Sequence, residues 1–449
     1  MFKKLVVGAL ALIISSFPLS GIVHADTAAT NLIPNPSLET STVSSTAPDS
    51  WQTSNYVVNA TDNNQATFSY LNTGHTGGHS VEVQVGKFTS GDDNWYYGDV
   101  PVTAGTTYQF SDWYQSNVDT EVDAEVMVGN VPSYYKVGAA FANTGWTSFS
   151  STFTAPAGAT SMSLYHLIAA TGYLITDDYS LAAYTPAPFT SPMVSVTFDD
   201  GWLNQYQNAV PILNQLGIPA TFYIISDSSI TTPDPEYMNA ADVLALHNAG
   251  NEIASHTVHH CDLTGLQTDD PQDCPLGITD TQINSELQDS QTTLQNLIGA
   301  PVTDFAYPYG AYNPSTIANA QKYYQSQRTV NSGFNSKDSL DPTQLKMYEV
   351  DSNITVGQVE AWIDGAIANH TWLILTYHEI GTQPENPADD DALYTTQPTD
   401  FADEMAYLKS KSASTEIDTV TTALHEAEAQ AAGTVVPPAL NLAMSMGTA

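Results

Sequence analysis

The chain has 449 residues and 42% hydrophobic content, which excludes a disordered chain and allows two or three domains with cores of their own. Its formal net charge is -38, yet only 13% of residues are charged, against about 25% in an ordinary domain. The imbalance therefore comes from missing Lys and Arg, and such a field excludes nucleic acid and anionic membranes as expected partners. At the N-terminus, Lys3 and Lys4 precede the apolar Leu5–Ile14 stretch, and Val23, His24 and Ala25 form a cleavage pattern. Residues 1–25 thus read as an export signal, which places the mature chain outside the cell. A retained anchor is the alternative, but the apolar stretch is short for one. No later run approaches the ~20 apolar residues of a membrane span.

Residues 26–184 lack a helical period. Short alternating runs, such as 80–85 and 121–126, are punctuated by Gly, Asn, Asp and Pro, the pattern of an all-β sandwich. Aromatic residues are frequent here: Trp51, Trp95, Tyr96, Tyr97, Trp113, Tyr114, Tyr134, Tyr135 and Trp146. Pro186, Pro188 and Pro192 mark a linker over 185–192. From Met193 to about Ala431, strand patterns (193–198, 220–225, 251–255, 303–307, 327–330, 346–350, 372–378) alternate with helical ones. That alternation predicts a parallel sheet, and its length predicts a barrel with its chemistry at the C-terminal strand ends. Residues 432–449 read as a loose tail.

Four motifs fall at those strand ends. Asp199 and Asp200 follow the first strand in Thr197-Phe198-Asp199-Asp200-Gly201. Two adjacent carboxylates repel, and a cation would relieve them, although Asp-Asp-Gly is also ordinary turn chemistry. His256 and His260 follow the third strand, four apart, so one helical turn would put both imidazoles on one side. With one Asp oxygen they would make a facial metal set with open positions; satisfied core or surface histidines are the bland alternative. His259 is expected to point away. Thr257 stands where the H-E-x-x-H protease motif has its Glu, so that chemistry lacks its base. Tyr309 sits between Pro308 and Gly310, a tight turn whose exposed N–H could stabilise an oxyanion. His378 ends the apolar 372–377 run; a lone strand-end His is usually structural, but at the same mouth as a metal it is a candidate acid. Cys261 and Cys274 are the two cysteines. In an exported chain they form one disulfide by default, with a thiolate ligand beside His260 as the rival.

Taken together, the four motifs resemble the polysaccharide deacetylases of carbohydrate esterase family four over 193–431. The resemblance implies a distorted, incomplete (β/α) barrel and a divalent metal, zinc first, with cobalt or nickel as alternatives. It implies Asp199 as general base, Asp200, His256 and His260 as metal ligands, Tyr309 as oxyanion donor and His378 as acid. Two departures stand out. Where family members carry an arginine that braces the catalytic Asp, this chain has Ala306 or Tyr307; Arg328, its single arginine, is the candidate substitute. The Asp partner of the acid His is also poorly kept, with Asp351 as the candidate. The opening 31–39 and the segment 177–181 resemble carbohydrate-binding modules of the galactose-binding-like jelly-roll type. That likeness implies sugar stacking on exposed rings, whereas core packing is the simpler role for any one of them. The expected protein is a monomer that acts on a polysaccharide. A non-sugar amidase on the same barrel and a sugar-binding protein with an inactive barrel are the rivals.

Overall fold

The computed structural model describes residues 30–232, 234–267, 272–382 and 390–432. The expected export signal, four residues of the cysteine loop and residues 433–449 of the expected tail lie outside the described residues.

The alternating runs of the N-terminal half become two antiparallel sheets. One has the spatial order Trp51–Tyr56, Asp92–Tyr97, Ala159–Ile168, Thr120–Val128, Val131–Ala140; Val100–Pro101 joins its middle strand. The other runs Ala66–Leu71, Ser80–Val85, Gly172–Ala183, Thr107–Ser116, Asn143–Thr154. The period of two decides what lies between them: Val81, Val83 and Val85 point in from one sheet, and Val122, Ala124 and Val126 from the other, all buried. Trp51, Trp95, Tyr97 and Tyr114 are also buried in that core, so these four aromatic residues pack rather than face solvent.

The second half closes a barrel of seven parallel strands: Met193–Phe198, Thr221–Ile224, Glu252–Ser255, Asp304–Ala306, Ser326–Ser332, Leu345–Glu349 and Trp372–Tyr377. The first strand bonds to both the second and the seventh. The expected incompleteness is therefore one of strand number, seven instead of eight, and not an open seam. Where the first strand's lower half has no second-strand partner, Glu416–Ile417 pairs with it. Helices Ala240–Asn248, Asp280–Ile298, Pro314–Ala320 and Val356–Asn369 each start on a reciprocal capping box, from Asn239, Thr279, Asn313 and Thr355. The Val420–Ala431 helix plugs the bottom: Val420, Leu424 and Ala427 pack on Met193, Met347 and Trp372. Above this plug the interior turns polar. Thr197 bonds Thr376, and Tyr223 donates to Asp304 at 2.7 Å. The same parity, continued upward, brings Asp199, His256, Arg328, Glu349 and His378 to one mouth.

One connection departs from the alternation. Between the fifth and sixth strands, residues 333–344 contain no helix. The β sandwich covers the wall there. The Lys346 ammonium, on the sixth strand, donates to Ser151 Oγ at 2.9 Å and to the Thr152 carbonyl at 2.7 Å. Ala139 N–H donates to Tyr312 Oη, and Phe141 meets the Tyr312 ring edge-on. The proline-rich 185–192 segment is pinned too: Lys337 N–H donates to the Ala187 carbonyl, and Phe189 is buried in the barrel's lower core. It is a packed connector and not a free tether. Among the described residues no carboxylate pairs with Lys346, and burial pushes its ammonium down to about 8. Lys346→Ala leaves the half-buried Thr152 carbonyl without this donor, so it should lower stability by about 1 kcal/mol. Denaturant unfolding checks this; an unchanged midpoint would mean the junction is not held there.

Candidate active site

The backbone at the mouth is bent on purpose-built corners. Strand alternation would send Asp199 and Asp200 to opposite faces. Asp200 instead takes a left-handed φ of 71°, followed by Gly201 at 84°, which turns its carboxylate back into the barrel mouth. The histidine segment is likewise not the helical turn its spacing predicts. Thr257 and His260 are both left-handed, with φ of 67° and 62°. The loop still brings the two rings to 4.7 Å between centroids. Glu286 explains how it holds that shape. Both Val258 N–H and His259 N–H donate to Glu286 Oε2 at 3.0 Å, and His259 Nδ1 lies 2.7 Å from Oε1. His259 is thus turned to Glu286 and stays out of the Asp200 cluster, although it lines the same cavity.

Asp200 Oδ1 lies 3.4 Å from His256 Nε2 and 3.5 Å from His260 Nε2, and the three atoms form a cluster that can hold a metal ion. The donor set fits. Trp202 Nε1 donates to Asp200 Oδ2 at 2.9 Å, while the buried Oδ1 has no hydrogen bond among the described residues. His256 Nδ1 lies 2.9 Å from the Ala306 carbonyl, which fixes the ring and turns Nε2 to the cluster. Burial opposes charge on Asp200, yet His256, His260 and His378 outweigh it and hold the carboxyl well below its usual range. Burial, together with His256, pushes His260 down to about 4, so it is a neutral donor at neutral pH.

Asp199 is held separately. The Arg328 guanidinium, fully buried, reaches from the fifth strand to Asp199 Oδ2 at 2.5 Å, leaving Oδ1 without a hydrogen bond among the described residues. His378 Nε2 lies 3.8 Å from the same Oδ2. The carboxylate beside His378 Nδ1 is Glu349 Oε1 at 3.7 Å, and not Asp351. Asp351 shares the inward parity, but the strand ends at Glu349; the chain turns, and Asp351 accepts Asn353 N–H at 2.7 Å. Burial pushes His378 down, but Asp200, Asp199 and Glu349 outweigh it and leave the ring raised. Tyr309 has φ 57°, and its ring packs on His260 at 4.4 Å. Trp202 and Tyr237, stacked at 4.5 Å, form a wall of the cavity, which holds about 800 Å³.

Cys261 and Cys274 are joined in a disulfide, and both are buried. The thiolate reading is thereby removed. Asp262, next to the disulfide, is buried and accepts the N–H groups of Thr264, Leu266 and Gln267. Glu286, Glu349, Trp202 and Tyr237 belong to the site without having been singled out from the sequence. Glu286 carried a readable signal, a charge on the apolar stripe of Ile283, Leu287 and Leu294.

The family model for polysaccharide deacetylase matches residues 187–326, a span that includes Asp199, Asp200, His256, His260 and Tyr309. YxkH of Bacillus subtilis (strain 168), a candidate polysaccharide deacetylase, is 32% identical over 146 residues, covering 32% of this chain. The match spans 47% of YxkH, about half its length. Among solved structures, the Streptococcus pyogenes deacetylase PplD in complex with acetate aligns at 24% identity and TM-score 0.30, over 34% of this chain and 62% of PplD. The Xyl-CE4 domain of a multidomain xylanase from the hindgut metagenome of Trinervitermes trinervoides aligns at 16% and 0.35, over 53% and 91%. BA3943 of Bacillus anthracis, a CE4 family pseudoenzyme, aligns at 16% and 0.34, over 54% and 70%.

Metal content separates the two aspartates. Asp200→Asn and His256→Ala should lose bound divalent metal, while Asp199→Asn keeps it, as read by elemental analysis of the purified proteins. A metal-free Asp199→Asn would reverse the two roles. Over residues 187–326 the chain is thus similar in sequence to polysaccharide deacetylases, and five of its site residues lie in that span.

Proposed function

We propose that the protein is a secreted, monomeric, metal-dependent hydrolase that removes acetyl groups from a polysaccharide, with residues 193–431 as the catalytic domain. The observation that carries this is the separation of the two carboxylates: Asp200 Oδ1 faces two imidazoles, while Asp199 Oδ2 is held by Arg328. Asp200, His256 and His260 would hold the metal, zinc in the first instance. When bound, it supplies Lewis-acid polarisation of the acetyl carbonyl and a lowered pKa for water. Asp199 takes the water's proton at Oδ1, because Oδ2 is occupied by the guanidinium. The Tyr309 N–H, in its left-handed turn, is the oxyanion donor. His378 gives a proton to the leaving amine or alcohol; its raised pKa supports a protonated ring at the start of the reaction. Arg328 orients the base, the role that the resemblance gives to a different position.

The β sandwich, residues 26–184, is proposed as a jelly-roll, carbohydrate-binding module. Tyr134, Tyr96, Trp113 and Trp146 lie outside the buried core and support sugar stacking. A small-amidase reading gains nothing from such a surface. An inactive barrel would call for loss of Asp199 or of the Asp200, His256 and His260 set, and all four residues are present.

Acetate release from chitin-type, peptidoglycan and acetylxylan polymers tests the proposal. Activity should vanish on chelation, return with zinc or cobalt, and be lost in Asp199→Asn; no release from any polymer would overturn it. The pH profile gives a second check. His378 is raised by three carboxylates, so its acid form, and with it activity, is lost as pH rises through that raised pKa. Glu349→Gln removes one of them and should move the alkaline limb to lower pH. A shift to higher pH, or none, would free His378 from Glu349.

A further inference from the structure

The backbone ladder between the first and seventh strands ends just where the two catalytic candidates begin. Its last bond runs from Asp199 N–H to the Tyr377 carbonyl at 3.0 Å. Beyond it, one side chain bridges the strand ends. Gln205 Nε2 donates to the Asp199 carbonyl at 2.5 Å and to the His378 carbonyl at 2.9 Å. Gln205 is fully buried and opens the π-helical turn Gln205–Ala209, a wide turn of the kind that recurs at functional sites. Its neighbours bond the two residues that follow His378. Asn204 Oδ1 accepts Ile380 N–H at 3.1 Å, Asn204 Nδ2 donates to Glu379 at 2.6 Å, and Asn208 Nδ2 donates to the Ile380 carbonyl at 2.6 Å.

We propose that Gln205, supported by Asn204 and Asn208, is a positioning clamp that fixes His378 against Asp199. The inference rests on the roles proposed above for those two residues. Gln205 is not a catalytic residue, since it touches the backbone of both and neither reacting atom. The chemistry explains the residue type. Two carbonyls must be bridged from one point, and a primary amide carries two donors on one nitrogen. Glutamate has the same shape but would set lone pairs against both carbonyls. Leucine fills the space and leaves two buried acceptors without this donor.

In the full-length protein, on the polymer that the wild type deacetylates, Gln205→Glu and Gln205→Leu should lower kcat at least tenfold. KM should stay within twofold and metal content should not change. Asn208→Ala, a half-buried and milder change, should act in the same direction. In a His378→Ala background, Gln205→Leu should cost less than twofold, because the residue it positions is gone. An unchanged kcat, or the same loss in both backgrounds, would overturn the clamp. The ring resonances of His378 in histidine-labelled protein, identified by their loss in His378→Ala, should shift in Gln205→Leu. That readout needs no turnover, so an inert wild type would sink the proposed function while the clamp is still decided; unmoved resonances would sink the clamp.

Discussion

The mouth of this barrel depends on one buried ion pair, Arg328 with Asp199. The two residues sit on opposite sides of the ring, the fifth and first strands, so the guanidinium crosses the interior. Small side chains make room for it: Ala254 and Ala306 cluster with Tyr223, and the guanidinium lies 5.0 Å above the Tyr223 ring. The strand register sets Ala306 directly beside Arg328. An arginine at 306 and one at 328 therefore start from adjacent places on the same wall, which is how the charge can come from either strand. Such a pair is weak evidence for stability, since both ions lose water. Its value here is directional. With Oδ2 engaged, Asp199 presents Oδ1, and the proposed base acquires an orientation as well as a charge.

The second dependency is the covering of the barrel. A parallel barrel buries its strands on both faces, so every wall needs an outer layer. Helices supply most of it, and over the fifth strand and part of the sixth the β sandwich does so through Lys346, Tyr312 and the strands around Ala139 and Thr152. Tyr348, stacked on Trp362 at 4.5 Å, continues the cover. The sixth strand is thus held from outside by the sandwich while its inward edge carries Glu349 to His378. The two halves of the chain are joined at the wall nearest the proposed acid.

Period and motif made much of this legible. The alternations at 80–85 and 121–126 gave strands, and the motifs placed Asp199, His256 and His378 at strand ends, whereas Arg328 lies inside the Ser326–Ser332 strand and points inward from there. Contacts set by turns were not legible. Asp351 has the right parity but lies past the strand end, where a turn redirects it, and Glu349 takes its place. The spacing of His256 and His260 suggested a helix because i, i+4 is the helical period, yet two left-handed residues reach the same convergence by another path. The missing helix at 333–344 left no signal beyond its absence of period. Aromatic count was a poor guide to sugar binding, since Trp51, Trp95, Tyr97 and Tyr114 fill the core.

The turns at the mouth, two of them legible as turns and the histidine loop read instead as a helical turn, are also where the molecule is strained. Asp200, Thr257, His260 and Tyr309 all sit in the left-handed region without being glycine. Such conformations each oppose folding by about 1–3 kcal/mol and persist only where the surroundings over-determine them. The surroundings here are identifiable. Trp202 holds Asp200, Glu286 takes two N–H groups of the histidine loop, and Thr257 Oγ1 accepts His260 N–H at 2.9 Å. Gly310 at φ 60° packs so closely on Val330 that a Cβ there would overlap it, which fixes the turn carrying Tyr309. The three candidate metal ligands thus converge through backbone that relaxed strands and helices would not adopt. Their convergence is a property of the supporting bonds as much as of the ligands, and replacing Glu286 would relax the histidines without touching either ring.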